Sequence, residues 1–143
     1  MQKNHLRIFF ILSGFLFLFD QLLKYFAYHN QNFHFYIIKP WLGWEYFANS
    51  GIAFGLPVPQ IIIFVLTPLI LLALGIWWSK NKHKNNYFCL GISLIFAGAI
   101  SNLIDRVIFS ITIDYFRVFT SVMNLADIII VIGVVLLLYK NKK

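Results

Sequence analysis

Acidic side chains are scarce in this sequence: five in 143 residues, against twelve lysines and arginines. Charged residues make up only 12% of the chain and hydrophobic ones 60%, where soluble domains carry roughly 25% charge. So little charge excludes a water-soluble fold and points to an integral membrane protein. Cysteine is almost absent as well. The single Cys89 rules out a disulfide within the chain, and without a nearby histidine it is read as a small apolar core residue rather than a nucleophile. His5, His29, His34 and His83 are scattered and show no metal-ligand spacing, so neither a metal nor a cofactor is expected. No GxSxG elbow, repeat or low-complexity linker is present, and the length fits one domain, residues 1–143.

What is abundant is long apolar sequence. Four runs are long enough to span a bilayer as helices, about 8–28, 61–78, 87–107 and 124–139, the last the shortest. The first is too long for a cleavable leader and is followed by no small-residue cleavage site, so a retained helix is expected. The net charge of +7 lies in three clusters: Lys3 and Arg7, then Lys80, Lys82 and Lys84, then Lys140, Lys142 and Lys143. By the positive-inside rule both termini and the middle connection are cytoplasmic, and the charge marks topology rather than a nucleic-acid partner. The connection between the first two helices is rich in aromatics. Phe33, Phe35 and Ile37 alternate with His34, Tyr36 and Ile38, and Trp41, Trp44, Tyr46 and Phe47 follow, which predicts a small β-containing segment on the extracytoplasmic surface. An aromatic belt without regular structure is the alternative. The second outer connection, with Asp114-Tyr115-Phe116-Arg117 among apolar residues, is expected to lie in the interface.

The few acids are not scattered at random. Asn102-Leu103-Ile104-Asp105 and Asn124-Leu125-Ala126-Asp127 each place an Asp one helical turn from an Asn at the outer end of an apolar run. A carboxylate in the bilayer costs about 2.5 to 3.5 kcal/mol, so two of them imply a function. Two carboxyls in a partly desolvated site share one proton, and the pair can then activate a water and polarise an amide carbonyl. Asp20 and Lys24 stand i, i+4 at the outer end of the first helix and can pair. Three other roles compete. The acids can bind Arg106 and Lys24 to pack helices, they can relay protons in a small transporter or channel, or Lys24 can serve a serine such as Ser50 or Ser101. The apolar inner halves of the helices, with no polar step below Asn102 and Asp127, argue against the transporter.

Asp20-Gln21-Leu22-Leu23-Lys24, Asn49-Ser50-Gly51-Ile52-Ala53-Phe54, the segment from Gly98 to Arg106, and Asn124-Leu125-Ala126-Asp127 together resemble, in order and spacing, the lipoprotein signal peptidases (signal peptidase II). The resemblance covers nearly the whole chain. It implies an aspartic endopeptidase of the bacterial inner membrane that cuts the signal peptide from diacylglyceryl-modified prolipoproteins. By position it implies Asp105 and Asp127 as the catalytic pair, Asn49, Gly51, Asn102, Arg106 and Asn124 lining the site, and Asp20 and Lys24 supporting it. Two positions depart from the family pattern: Ser101 stands where Gly is usual and Met123 where Phe is usual. Both bear on the shape of the pocket.

Overall fold

Gly91, Gly98 and Gly133 decide how the helices pack. A Cβ at Gly91 would stand 2.8 Å from the Gly133 carbonyl oxygen, one at Gly133 2.7 Å from the Gly91 oxygen, and one at Gly98 2.6 Å from the Ala126 oxygen. Only glycine permits backbones so close, and such small-residue seams are how helices associate where lipid removes the hydrophobic drive between them. The seam joins α3 (Asn86–Phe109) to α4 (Leu125–Lys140). On its other side α3 packs against α1 (Lys3–His29), and α2 (Gln60–Lys80) lies along α3 at the periphery. The coordinates are a computed structural model and describe residues 3–51, 58–82 and 84–140.

Burial follows from this arrangement. The central α3 buries Phe88, Ile92, Leu94 and Ile95, whereas α2, apolar all round, buries Ile63 alone. Its large exposed side chains, such as Ile61, Leu69 and Leu72, suit lipid rather than water. The α1, α2 and α3 helices are each long and apolar enough to cross a membrane, and α4 is a shorter apolar helix. The chain is therefore a mainly helical membrane protein, with four helices among the described residues. The helix ends are set locally: the Asn85 side chain accepts the Phe88 N–H at 2.8 Å to start α3, and Ser110 closes it in the left-handed conformation at φ 60°.

The aromatic connection does form strands, β1 (His34–Ile38) and β2 (Leu42–Asn49). The sheet is larger than the sequence suggests. The second connection, expected to lie in the interface, supplies β3 (Thr112–Val118) and β4 (Ser121–Met123), completing an antiparallel order β1-β2-β3-β4. Gly43 is needed in β2, because a Cβ there would stand 2.3 Å from the Phe35 carbonyl oxygen. Ile113 and Tyr115 of β3 pack with Trp44 on Ala27 and Leu23 of α1, fixing the sheet on the outer end of the bundle. Opposite Asp114 in the ladder is Phe47, and opposite Thr112 is Asn49. All five acidic residues, Glu45 on β2 included, lie at this end of the molecule.

Candidate active site

Two polar clusters fill the space between the helix ends and the sheet. In the first, the Lys24 ammonium lies 2.9 Å from Asp20 Oδ2 and 2.9 Å from Asp105 Oδ2, with side chains at most 2% exposed. It also donates to Asn102 Oδ1 at 2.8 Å and to Ser101 Oγ at 3.2 Å. One cation between two buried carboxylates leaves an excess negative charge, which needs further donors. Asp20 receives the hydroxyls of Ser101 (2.5 Å) and Tyr115 (2.8 Å) and the Ala126 N–H (3.2 Å). Asp105 receives the Ile113 N–H (3.2 Å) and the Gln21 amide (3.3 Å). Burial and the Asp20 carboxylate hold the Tyr115 phenol well above its usual range, so it stays a donor to that carboxylate.

The second cluster is built on amides. Asp114 Oδ2 accepts from Asn49 Nδ2 at 2.9 Å and Asp114 Oδ1 from Asn124 Nδ2 at 2.6 Å. Asp127 Oδ1 accepts from Asn102 Nδ2 at 2.8 Å, and the Asp127 N–H donates to Asn124 Oδ1 at 2.9 Å. Asn124 therefore caps α4 with its side-chain oxygen while its amide nitrogen holds Asp114, and Asp127 sits in the first helical turn, where the backbone dipole favours a carboxylate. Arg106 Nη2 donates to the Gly51 carbonyl at 3.2 Å, and the Gly51 N–H donates to Asn49 Oδ1 at 2.9 Å. These contacts tie Asn49 and Gly51 to α3. Ile52 to Phe54 of the same motif lie outside the described residues. Asn102 joins the clusters, taking Lys24 on its oxygen and giving its nitrogen to Asp127.

Asp114 is fully buried and meets no cation at hydrogen-bond distance among the described residues. Burial, and next the negative charge of Asp127, push its pKa up to about 7, against the hydrogen bonds of Asn49 and Asn124 and the charge of Lys24. Asp127 is partly exposed and borders a cavity of about 490 Å³ along α4, lined also by Asn49, Met123, Ile130 and Val131. The site thus has one occluded carboxyl, one reachable carboxyl, and an apolar trough leading to the second.

Against the sequence expectations, the structure gathers Asn49, Gly51, Asn102, Arg106, Asn124 and Asp127 into one site and sets Asp20, Lys24 and Asp105 together beside it. Asp105 directs its oxygens to Lys24, Gln21 and the Ile113 N–H, contacts that join α1, α3 and β3. Lys24 and Ser101 do meet, yet Ser101 donates to Asp20 and Lys24 is bound by two carboxylates, which leaves no free base and no free nucleophile. Ser101 fills the ion cluster rather than the trough, whereas Met123 lines the trough. The residue that sequence reasoning passed over is Asp114. Its signal was an acid alternating with apolar residues in Thr112-Ile113-Asp114-Tyr115, a strand pattern that only the sheet register turns into a place.

The model of the family described as signal peptidase (SPase) II matches residues 12–142. The chain belongs to the signal peptidase II family. Among its relatives, the lipoprotein signal peptidase of Clostridioides difficile is 37% identical over 95 residues, a span of 64% of each chain. That of Staphylococcus aureus strain MRSA252 is 32% identical over 136 residues, 90% of this chain and 83% of that one. A solved bacterial membrane enzyme superposes with a TM-score of 0.84 at 30% identity, covering 95% of this chain and 92% of its own. Membership of the family makes the chain a peptidase, and the site just described lies wholly within the matched segment.

Proposed function

We propose that this signal peptidase II family member is an aspartic endopeptidase that removes the signal peptide from diacylglyceryl-modified prolipoproteins, and that its catalytic pair is Asp114 with Asp127 rather than Asp105 with Asp127. The observation that carries the second part is the contrast between the two candidates. Asp105 is neutralised by Lys24 at 2.9 Å, which suits an ion-pair role, while Asp114 is held by two asparagine amides beside the charge of Asp127. A carboxyl free of cations in a desolvated site can carry a proton near neutral pH, as acid-base chemistry requires.

The mechanism follows. One proton is shared between the carboxyls. The ionised member takes a proton from a water as its oxygen attacks the scissile carbonyl carbon, and the protonated member hydrogen-bonds the carbonyl oxygen as negative charge develops there. Collapse of the tetrahedral species returns a proton to the leaving nitrogen and restores the pair. Arg106 holds the Gly51 segment against the site, and the trough along α4 accepts apolar parts of a substrate already anchored in the bilayer. The positive-inside rule places Arg7 and the Lys80 to Lys84 connection, and with them both termini, in the cytoplasm, and the Asp pair toward the extracytoplasmic face of the inner membrane. Membrane lipids and the lipidated substrate are then the partners, with no nucleic acid.

The deciding experiment is cleavage of a diacylglyceryl-modified prolipoprotein by the purified chain in detergent. Asp114→Asn and Asp127→Asn should each lower turnover by about three orders of magnitude with the fold retained. Turnover near wild type in a folded Asp114→Asn protein would return the role to Asp105.

A further inference from the structure

A second cavity, of about 430 Å³, runs from Phe10 and Trp78 to Phe17 and Ile100, one turn short of Asp20, and opens toward the end of the bundle that carries Arg7 and Lys84. It is a groove between α1 and α2 floored by α3, walled by Phe10, Phe17, Trp78 and Phe96. Three observations set it apart from an ordinary surface dent. Among the described residues α1 and α2 share no packed seam, so the groove stands open to lipid. Gly14 lies on its wall, and a Cβ built there meets nothing within 4 Å, so this glycine, unlike Gly91 or Gly98, is not explained by a close backbone. At the back wall Ser13 donates to Ser93 at 2.9 Å and Ser93 to the Leu90 carbonyl, so the polar groups there are already satisfied and leave an apolar lining.

The mouth of the groove is cationic. Arg7 precedes Phe10, Gly14 and Phe17 at i, i+3, i+7 and i+10, placing it on the same face of α1 one turn toward the end. From the other side the Lys84 ammonium lies 5.1 Å from the centre of the Trp78 ring, which itself meets Phe10 edge-on at 6.2 Å. Arg7 and Lys84 therefore flank the Phe10–Trp78 pair, and every acidic residue of the chain lies at the opposite end of the molecule. An apolar trough of this size beneath two cations with no ion-pair partner among the described residues fits an amphiphile with an anionic head. The basic amino-terminal region of a signal peptide is repelled by the same charges.

We infer that this groove is a binding site for one anionic phospholipid, an acyl chain lying along Gly14 between α1 and α2 and the phosphate between Arg7 and Lys84. On the orientation proposed above, it faces the cytoplasmic leaflet.

The test is native mass spectrometry of the full chain released from mixed micelles, with phosphatidylglycerol and phosphatidylcholine of the same acyl chains as probes. The expected result is a one-to-one phosphatidylglycerol adduct at least tenfold more populated than the phosphatidylcholine adduct. Arg7→Gln with Lys84→Gln should abolish that preference. Gly14→Phe, at a position where an added Cβ meets nothing within 4 Å, should fill the trough and remove both adducts, and Gly75→Leu should do so from the α2 side, with circular dichroism confirming the fold of each. Equal retention of the two lipids by wild type would overturn the inference. So would an unchanged adduct in both folded filling variants. Binding of a synthetic signal-peptide helix lost in Gly14→Phe while phosphatidylglycerol binding survives would overturn it in favour of a peptide occupant.

Discussion

Asp105 and Asp114 are nine residues apart in sequence and opposite in electrostatic situation, and the difference is measurable at single positions. Asp105→Asn removes one of two carboxylates from Lys24, leaving Asp20 to pair with it. The expected result is reduced thermal stability and partial activity, at least tenfold above that of Asp114→Asn in the same cleavage assay. The titration of Asp114 gives a second check. Its folded pKa of about 7 is raised above the unfolded value near 3.9, so the folded state binds that proton more tightly. The sign follows: this contribution to stability is fully present below about pH 4 and is lost as pH rises through about 7. Catalysis that needs one proton on the pair should likewise fall above about pH 7 in kcat/KM, and Asp114→Asn should flatten the corresponding slope of stability in a thermal melt. Ser101→Ala addresses the serine alternative. Losing a donor to Asp20 should cost on the order of 1 to 3 kcal/mol of stability and leave turnover within tenfold of wild type. A folded but inactive Ser101→Ala would reopen the serine mechanism.

At the scale of elements, the α3–α4 seam sets where Asp127 stands. Gly98 faces the carbonyl oxygen of Ala126, the residue immediately before Asp127. Gly98→Val should therefore push the start of α4 away, costing about 1 to 3 kcal/mol from overpacking, and should lower kcat more than it raises KM, read from cleavage kinetics and a thermal melt together. The helices themselves were legible in the sequence because apolar length and basic flanks are strong one-dimensional signals. So were β1, from the alternation of Phe33 to Ile38, and β2, from Trp41, Trp44, Tyr46 and Phe47 that follow. The pairing of β3 into the same sheet was not, because it depends on a non-local ladder from Asn49 to Thr112 that no local pattern encodes. The proposed reassignment of the Asp pair rests on that pairing. Asp105 sits in a conspicuous helical motif, whereas Asp114 acquires its neighbours Asn49 and Asn124 only when the sheet closes over the bundle. Asp20 and Lys24 were readable from their i, i+4 spacing, but Tyr115, which donates to Asp20 in their cluster, again comes from β3.

For the whole molecule, the acids are segregated: all five lie at one end, where Lys24, Arg106 and Arg117 stand among them, while Arg7 and Lys80 to Lys84 lie at the other. If that asymmetry sets orientation, a cysteine at position 44 in a Cys89→Ser background should react with a membrane-impermeant thiol reagent in intact cells, and one at position 82 should not; labelling at 82 but not at 44 would invert the topology. The two proposed catalytic carboxyls also belong to different bodies, Asp114 to the surface sheet and Asp127 to the shortest helix. Over its 16 described residues α4 is about 24 Å long, less than the roughly 30 Å hydrocarbon thickness of a typical bilayer. Mismatch between bilayer and α4 therefore loads the junction at Asn124, whose side chain both caps α4 at Asp127 and holds Asp114. For the proposed pair, that junction passes bilayer thickness on to both carboxyls, and cleavage measured across bilayers of graded acyl length should pass through an optimum on the thin side.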